Sequence, residues 1–127
     1  MQGPKRGGKV LVTEDNPLHM KIFKLNLAVV GCDVTEAANG AEGLRLAREC
    51  RPDLILADLT LPKLDGAEMI RALAADTATR DIPIIVVSAR NHDEEALRPM
   101  VAAFVRKPFD PEALTQLVVQ TISEHAD

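Results

Sequence analysis

The sequence predicts an α/β domain in which a parallel sheet of five strands is covered by helices on both faces. Short apolar runs alternate five times with segments of helical periodicity along the 127 residues. A strand with one solvent-exposed face alternates polar and apolar residues, and most of these runs do not. Both faces of the sheet should therefore be covered. Strands one, three and four are the most apolar, which places them centrally and predicts the doubly wound order 2-1-3-4-5.

The first strand and helix are marked by clear boundary residues. The apolar run Lys9–Thr13 predicts a buried strand. Asn16 and Pro17 form an N-cap and first-turn pair, which predicts a helix that ends at Gly31. The apolar residues at helical spacing, which we expect to be its buried face, are Leu18, Ile22, Leu25 and Val29.

The second pair is an edge strand and a short helix. Asp33–Ala37 alternates polar and apolar residues, as an edge strand does. Asn39 then caps a helix that runs to about Cys50. The apolar residues that mark this helix are Ala41, Leu44 and Ala47.

A continuous apolar run predicts the central strand, Leu54–Asp58. Helix three is expected at about residues 67–75, buried through Met69, Ile70 and Leu73. Strand four is predicted at Ile84–Val87 and ends on Ser88.

The last third of the chain contains the weakest helical signal. A short acidic helix is expected to include Asp93, Glu94, Glu95, Ala96 and Leu97, and to be curtailed by Pro99. Ala103–Arg106 predicts the fifth strand. The pair Asp110 and Pro111 starts a last helix, whose amphipathic stripe is Leu114, Leu117, Val118, Thr121 and Ile122.

Composition narrows the class of protein. The length fits one domain, expected over residues 9–127 after a disordered tail of residues 1–8. A net charge of −4 argues against a nucleic-acid partner, and no apolar run approaches the length of a membrane span. Two cysteines without metal or redox spacing, and no secretory signal, indicate reduced thiols in a cytoplasmic protein.

Three acids are expected to meet at one edge of this sheet. Glu14 and Asp15 follow strand one, and Asp58 ends strand three, at the predicted topological switch point. Neighbouring carboxylates repel one another unless a cation neutralises them, and oxygen ligands suit Mg²⁺. Ser88 and Lys107, at the ends of strands four and five, add a hydroxyl and a positive charge. This set of groups predicts a phosphoryl-transfer site.

With these residues the sequence resembles the receiver domain of two-component response regulators. The residues that carry the resemblance are Glu14-Asp15-Asn16, Asp58 with Pro62 and Gly66, Ser88-Ala89 and Lys107-Pro108-Phe109. The resemblance implies a flavodoxin-like (βα)5 sandwich. It also implies a signalling switch that accepts a phosphoryl group from a sensor histidine kinase or phosphotransfer protein, and not an enzyme with substrate turnover.

The resemblance assigns a role to each site residue. Asp58 would be the phosphoacceptor, with Asp15 and Asp58 as direct Mg²⁺ ligands. Glu14 would act through a metal-bound water, and Thr60 through its backbone carbonyl. Lys107 would pair with the phosphoryl oxygens. Ser88 and Phe104 would be switch residues. Thr60 and Arg90 would tune the lifetime of the phosphoryl group.

Two departures from the family pattern concern the region of helix four. The interval from Ser88 to Lys107 is short and contains Pro99, which predicts a truncated or irregular helix. Met100-Val101 stands where the family often has Gly-Ala. With no output domain expected after the last helix, the output would be protein contacts made by a monomer or a phosphorylation-dependent dimer.

Other readings of the same residues stay open at this point. A pseudo-receiver would bind partners without phosphorylation. A hydrolase with an aspartyl nucleophile needs a second acid two residues later, where Thr60 stands. Glu14 and Asp15 also fit a helix-capping pair, and Phe104 fits ordinary core. The three histidines, His19, His92 and His125, are expected to be solvated.

Overall fold

Five parallel strands form one sheet in the order β2-β1-β3-β4-β5, as the sequence predicts. The computed structural model describes residues 8–59, 66–89 and 94–125. The strands are β1 (Gly8–Thr13), β2 (Cys32–Ala37), β3 (Leu54–Ala57), β4 (Ile84–Ser88) and β5 (Ala103–Arg106). Since β1 lies between β2 and β3, the strand order reverses beside β1 and opens a crevice at the carboxyl ends.

Helices cover both faces of this sheet. They are α1 (Pro17–Val29), α2 (Gly40–Cys50), α3 (Gly66–Ala75), α4 (Glu94–Leu97) and α5 (Pro111–His125). A 3₁₀ turn, Arg98–Met100, follows α4 directly. The predicted short fourth helix is therefore confirmed, with Pro99 in the turn that replaces its continuation. Asp93, which the sequence also assigned to this helix, lies outside the described residues.

The core is divided by the sheet into two aliphatic layers. On β1, Val10 and Val12 face one layer and Leu11 faces the other, because successive side chains of a strand point to opposite faces. The layer of Val10 and Val12 is closed by α1 and α5 and includes a stack of Phe23 on Phe109, with ring centroids 5.3 Å apart. The other layer is closed by α2, α3 and α4.

The predicted buried face of α1 is wrong. Met20, Phe23 and Leu27 are the buried residues of this helix. Leu18, Leu25 and Val29 are 64%, 60% and 85% exposed, and Ile22 is half-buried. At about 100° of rotation per residue the two stripes lie on opposite sides of the helix. Both are apolar at helical spacing, so only the docking of the helix decides which one is buried.

The predicted second helix is confirmed as α2, and the apolar residues that mark it differ in burial. Ala47 is buried, whereas Ala41 is exposed and Leu44 is half-buried. Gly40 and Gly43 occupy the buried face instead. A Cβ atom on Gly43 would lie 2.7 Å from the Thr13 side chain, so the helix approaches the sheet through its smallest residues. Hydrophobic periodicity does not count glycine and therefore does not reveal this face.

The remaining helices follow their predicted faces. Met69, Ile70 and Leu73 of α3 are buried. On α5, Leu114, Val118 and Thr121 are buried, and Asp110 accepts a hydrogen bond from the Glu112 N–H at 3.1 Å. Within the described ranges, each helix is too short or too polar to span a bilayer.

Asp76 links the end of α3 to α2 and makes stability depend on pH. The Ala78 N–H, 2.9 Å from its carboxylate, and then Arg48, at 2.7 Å, hold the pKa of Asp76 below its ordinary value of 3.8. A lowered pKa in the folded state contributes stability above pH 3.8, and this contribution is lost as the pH falls below that value.

We expect Asp76→Asn to lower the urea midpoint at pH 7 and to converge on the wild type as the pH falls below about 3.8. Urea unfolding at a series of pH values measures this. Glu49→Gln is the matched control, because Glu49 pairs within α2, with Arg45 at 3.1 Å. A constant difference between Asp76→Asn and the wild type down to pH 2 would contradict the assignment.

Candidate functional site

Three carboxylates meet at the carboxyl ends of β1 and β3. Asp58 directly follows β3, and its N–H donates to the Thr13 carbonyl at 3.3 Å. The Glu14 N–H donates to the Ala37 carbonyl at 3.0 Å, so sheet-like pairing continues past β1. Oxygen atoms of Glu14, Asp15 and Asp58 lie within 4.8 Å of one another. The sequence predicted this convergence.

The cluster is largely withdrawn from solvent. Glu14 is 4% exposed and Asp58 is 6% exposed, whereas Asp15 faces solvent. Burial raises the pKa of Glu14, and the charge of Asp58 raises it further. The Asn16 N–H, which donates to Glu14 at 3.2 Å, opposes this shift without cancelling it. The site therefore disfavours negative charge on Glu14 in the absence of an added cation.

Glu14 and Asp15 are not the cap of α1. The Asn16 side-chain oxygen accepts hydrogen bonds from the N–H groups of Leu18 and His19, at 2.9 and 3.2 Å. The capping alternative for the two acids is thus wrong, and their carboxylates face the cluster.

Lys107 brings a positive charge to the same place. Its Nζ atom lies 3.0 Å from Asp58 Oδ2 and 3.9 Å from Glu14 Oε1. Its N–H donates to the Ser88 carbonyl at 3.1 Å, and the Lys107–Pro108 peptide bond is cis. Because β4 lies between β3 and β5, the lysine side chain reaches across the end of β4 to contact Asp58.

Ser88 and Phe104 lie on the two neighbouring strands beyond Asp58. Ser88 is buried, ends β4 and pairs in register with Arg106. Phe104 pairs in register with Val86 and is half-buried against the α3 and α4 side of the core. The guanidinium of Arg98 lies over its ring, 5.8 Å from the centroid. The other predicted site residues, Thr60 and Arg90, lie outside the described residues, as does Pro62.

Gly66 has a structural role that the sequence did not reveal beyond its place in a turn. Its N–H donates to the Leu59 carbonyl at 3.0 Å. A Cβ atom here would lie 2.2 Å from the Asp58 carbonyl oxygen and 2.4 Å from the Leu59 Cα atom. Only glycine therefore lets α3 start directly against the backbone of the acidic site.

His19 belongs to the rim of the site, where the sequence predicted a solvated residue. Its Nδ1 atom is 3.6 Å from Glu14 Oε2. It also lines a cleft of about 450 Å³ between α1 and the segment after β5, together with Ile22, Phe109 and Lys107. The cleft therefore adjoins the acidic cluster through Lys107. The sequence signal that could have placed His19 near the site was its position three residues after the N-cap Asn16.

The ligand atoms of the cluster suit a hard divalent cation. All three groups are carboxylates, which Mg²⁺ and Ca²⁺ prefer. Burial, and to a lesser extent the charge of Asp58, raise the pKa of Glu14, so an added positive charge here would stabilise its carboxylate. Two of the three are buried, so a cation here would be partly shielded from water. A nucleophilic carboxylate next to a cation site and an ammonium group is equipped for phosphoryl transfer.

Comparisons of the sequence and of the structure with known proteins point to the same family. A sequence model described as the response regulator receiver domain matches residues 10–119. The polar-differentiation response regulator DivK of Brucella anthropi is 42% identical over 103 residues, covering 79% of this chain and 84% of DivK. The transcriptional regulator RpaA of a Synechocystis species is 33% identical over 84% of this chain, but the match covers only 45% of RpaA.

Solved structures agree with the sequence matches. The receiver domain of a sensor histidine kinase from Pseudomonas aeruginosa has a TM-score of 0.84 and 32% identity. The match covers 92% of this chain and 98% of that domain, which was solved with a magnesium ion coordinated in its active site cleft. The chemotaxis response regulator CheY4 of Vibrio cholerae has a TM-score of 0.80 and 26% identity, over 89% and 97% of the two chains.

Gly66→Ala is expected to destabilise the protein more than Gly43→Ala. The added methyl group meets backbone atoms at position 66 but meets the side chains of Thr13 and Met69 at position 43, and side chains can move. We expect a loss of about 3 kcal/mol or more for Gly66→Ala, and about 1 kcal/mol for Gly43→Ala. Urea unfolding of both variants measures the difference, and equal losses would contradict the close approach at Gly66.

Proposed function

Because the chain belongs to the response regulator receiver family of two-component signalling, we propose that it accepts a phosphoryl group on Asp58. The donor would be a phosphohistidine of a sensor histidine kinase or phosphotransfer protein. The observation that carries the proposal is the position of Asp58, buried beside two further carboxylates and 3.0 Å from Lys107. Receiver domains are signalling switches, so the phosphorylated protein would be the product and the signal.

The transfer step is a displacement at phosphorus. A carboxylate oxygen of Asp58 attacks the phosphorus atom, an O–P bond forms, and the P–N bond to the donor imidazole breaks. The imidazole nitrogen keeps the electron pair of that bond and takes up a proton. Lys107, already paired with Asp58 Oδ2, would neutralise the phosphoryl oxygens as the acyl phosphate forms.

We propose that Asp15 and Asp58 hold Mg²⁺ directly and that Glu14 holds it through a bound water. The backbone carbonyl of Thr60, outside the described residues, would complete the protein ligands. Bound Mg²⁺ supplies positive charge for the phosphoryl oxygens. The clustered carboxylate oxygens and the raised pKa of Glu14 support this assignment, as does the magnesium ion in the related Pseudomonas domain.

Ser88 and Phe104 are proposed to respond to the phosphoryl group. Ser88 ends the strand over which Lys107 reaches, which supports its hydroxyl as a donor to the new phosphoryl oxygens. Phe104 lacks a hydroxyl group, so two positions of its ring would differ by packing alone. Thr60 and Arg90, each two positions past a site residue, would tune the lifetime of the phosphoryl group.

The exposed apolar stripe of α1 is the proposed contact for the donor protein. Ile22 belongs to this stripe and also lines the cleft that Lys107 shares with the acidic cluster. Leu18, Leu25 and Val29 extend the same surface along the helix. An apolar partner surface covering this stripe would bring a phosphohistidine to the end of the sheet where Asp58 lies.

Asp58→Asn is expected to abolish phosphorylation. Incubation of the wild type with Mg²⁺ and a small phosphodonor such as phosphoramidate should add one phosphoryl group, measured by intact-protein mass spectrometry. Asp33→Asn, at an exposed aspartate of β2, should behave as the wild type. Absence of an adduct on the wild type with several donors would overturn the proposal and favour a binding module that works without phosphorylation.

Glu14→Gln is expected to raise stability without metal and to weaken metal binding. Removing this buried charge relieves its desolvation and its repulsion with Asp58, so the urea midpoint in EDTA should rise. The dissociation constant for Mg²⁺ should increase by about 10- to 100-fold, since Glu14 would orient the bound water.

Isothermal titration with Mg²⁺ measures this affinity. Glu36→Gln, which removes the same charge from an exposed residue of β2, is the control. Unchanged Mg²⁺ affinity in Glu14→Gln would exclude Glu14 from the metal site.

A further inference from the structure

The Glu94 carboxylate binds two arginines that belong to different elements. Glu94 begins α4, and its Oε2 atom accepts a hydrogen bond from Arg98 at 3.0 Å. Its Oε1 atom accepts one from Arg106 of β5 at 3.2 Å. The Glu94 side chain is only 21% exposed, although both arginines are more than half exposed. One carboxylate therefore joins the region of α4 to β5.

The first arginine reaches an aromatic ring. The Arg98 guanidinium lies over the ring of Phe104, 5.8 Å from its centroid, a distance at which a cation is attracted by the ring face. Glu94 accepts a hydrogen bond from the same guanidinium and so restricts its position. Glu94 therefore helps to hold the cation over Phe104.

The second arginine reaches the phosphoacceptor site through the backbone. Arg106 pairs in register with Ser88 and immediately precedes Lys107, the residue that contacts Asp58. The Lys107 N–H donates to the Ser88 carbonyl. A shift of this strand end, as Lys107 moves from the carboxylate to a phosphoryl oxygen, would displace Arg106 relative to Glu94.

We propose that Glu94, Arg98 and Arg106 form an ionic latch that holds Phe104 in the unphosphorylated protein and opens when Asp58 is phosphorylated. Glu94 is a positioning residue in this latch, acting on Phe104 through Arg98 and on Lys107 through Arg106. The latch rests on the proposed function, since Asp58 phosphorylation is its trigger. It specifies how the state of the site reaches the surface of α4 and β5.

The latch opposes the active state, and its removal should favour that state. Glu94→Gln keeps the size of the side chain and removes the charge shared by the two guanidinium groups. By thermodynamic linkage, a variant that needs no latch opening should bind the phosphoryl mimic beryllofluoride with Mg²⁺ about two- to tenfold more tightly. A surface ion pair without coupling to the site would leave this affinity unchanged.

Phe104 can be observed directly, because the chain contains only three phenylalanines and no tyrosine or tryptophan. We would label the full chain with 4-fluorophenylalanine and record ¹⁹F NMR spectra, assigning the Phe104 signal with Phe104→Leu. In the wild type this signal should shift when beryllofluoride and Mg²⁺ are added. In Glu94→Gln without ligand it should already be displaced in the same direction, and added salt should displace the wild-type signal likewise.

Glu49→Gln is the matched control, because it removes a charge from an ion pair within α2, away from β5. It should leave the Phe104 signal and the beryllofluoride affinity at their wild-type values. If Asp58 is phosphorylated in both proteins but Glu94→Gln has the wild-type Phe104 signal and affinity, the latch is wrong and the proposed function stands. If the wild type is not phosphorylated, the proposed function fails and the latch fails with it.

Discussion

The ion pair between Lys107 and Asp58 is the contact on which the site depends, and it joins residues 49 positions apart in the chain. It forms only because the sheet brings the ends of β3 and β5 to the same edge with β4 between them. Asp58 and Glu14 are neighbouring carboxylates that are both poorly solvated. The positive charge of Lys107 partly offsets the cost of burying them together. A bound cation would add positive charge to this site, and a phosphoryl group would add negative charge.

The two layers of the core differ in what they present around that edge. The layer closed by α1 and α5 lies beside the cleft that adjoins Lys107, and α1 presents a second apolar stripe to solvent. The layer closed by α2, α3 and α4 contains Phe104 and the close approach of Gly66 to the backbone of Asp58. In the proposed function, donor access and the response of Phe104 would therefore involve opposite faces of the sheet.

The short fourth helix contributes few apolar contacts at the edge of the core layer that α2, α3 and α4 close. Four residues of α4 and a 3₁₀ turn bury little apolar surface, with Leu97 as the fully buried side chain of the helix. Polar contacts of Glu94 with Arg98 and Arg106 add the connection to β5. Individual exposed ion pairs contribute little to stability. The ion pairs of Glu94 are therefore better suited to opening and closing than to stabilising the fold.

The sequence alone determined the order of elements, the strand order and the acidic cluster, because these follow from apolar runs, boundary residues and the rule that parallel strands end at one edge. It predicted Asp58, Glu14, Asp15 and Lys107 as neighbours for the same reason. Helix caps at Asn16 and Asn39 were also predictable, since they depend on local hydrogen bonds.

Only the tertiary structure decided which stripe of α1 is buried, since Leu18 and Met20 belong to stripes of similar apolar character on opposite sides of the helix. It also decided that Gly43 faces the sheet, that Gly66 must lack a side chain, and that Glu94 bridges two arginines. These facts depend on distances between segments far apart in the chain. Periodicity reports the spacing of residues within a segment, and the docking of one segment on another sets the contacts each side chain makes.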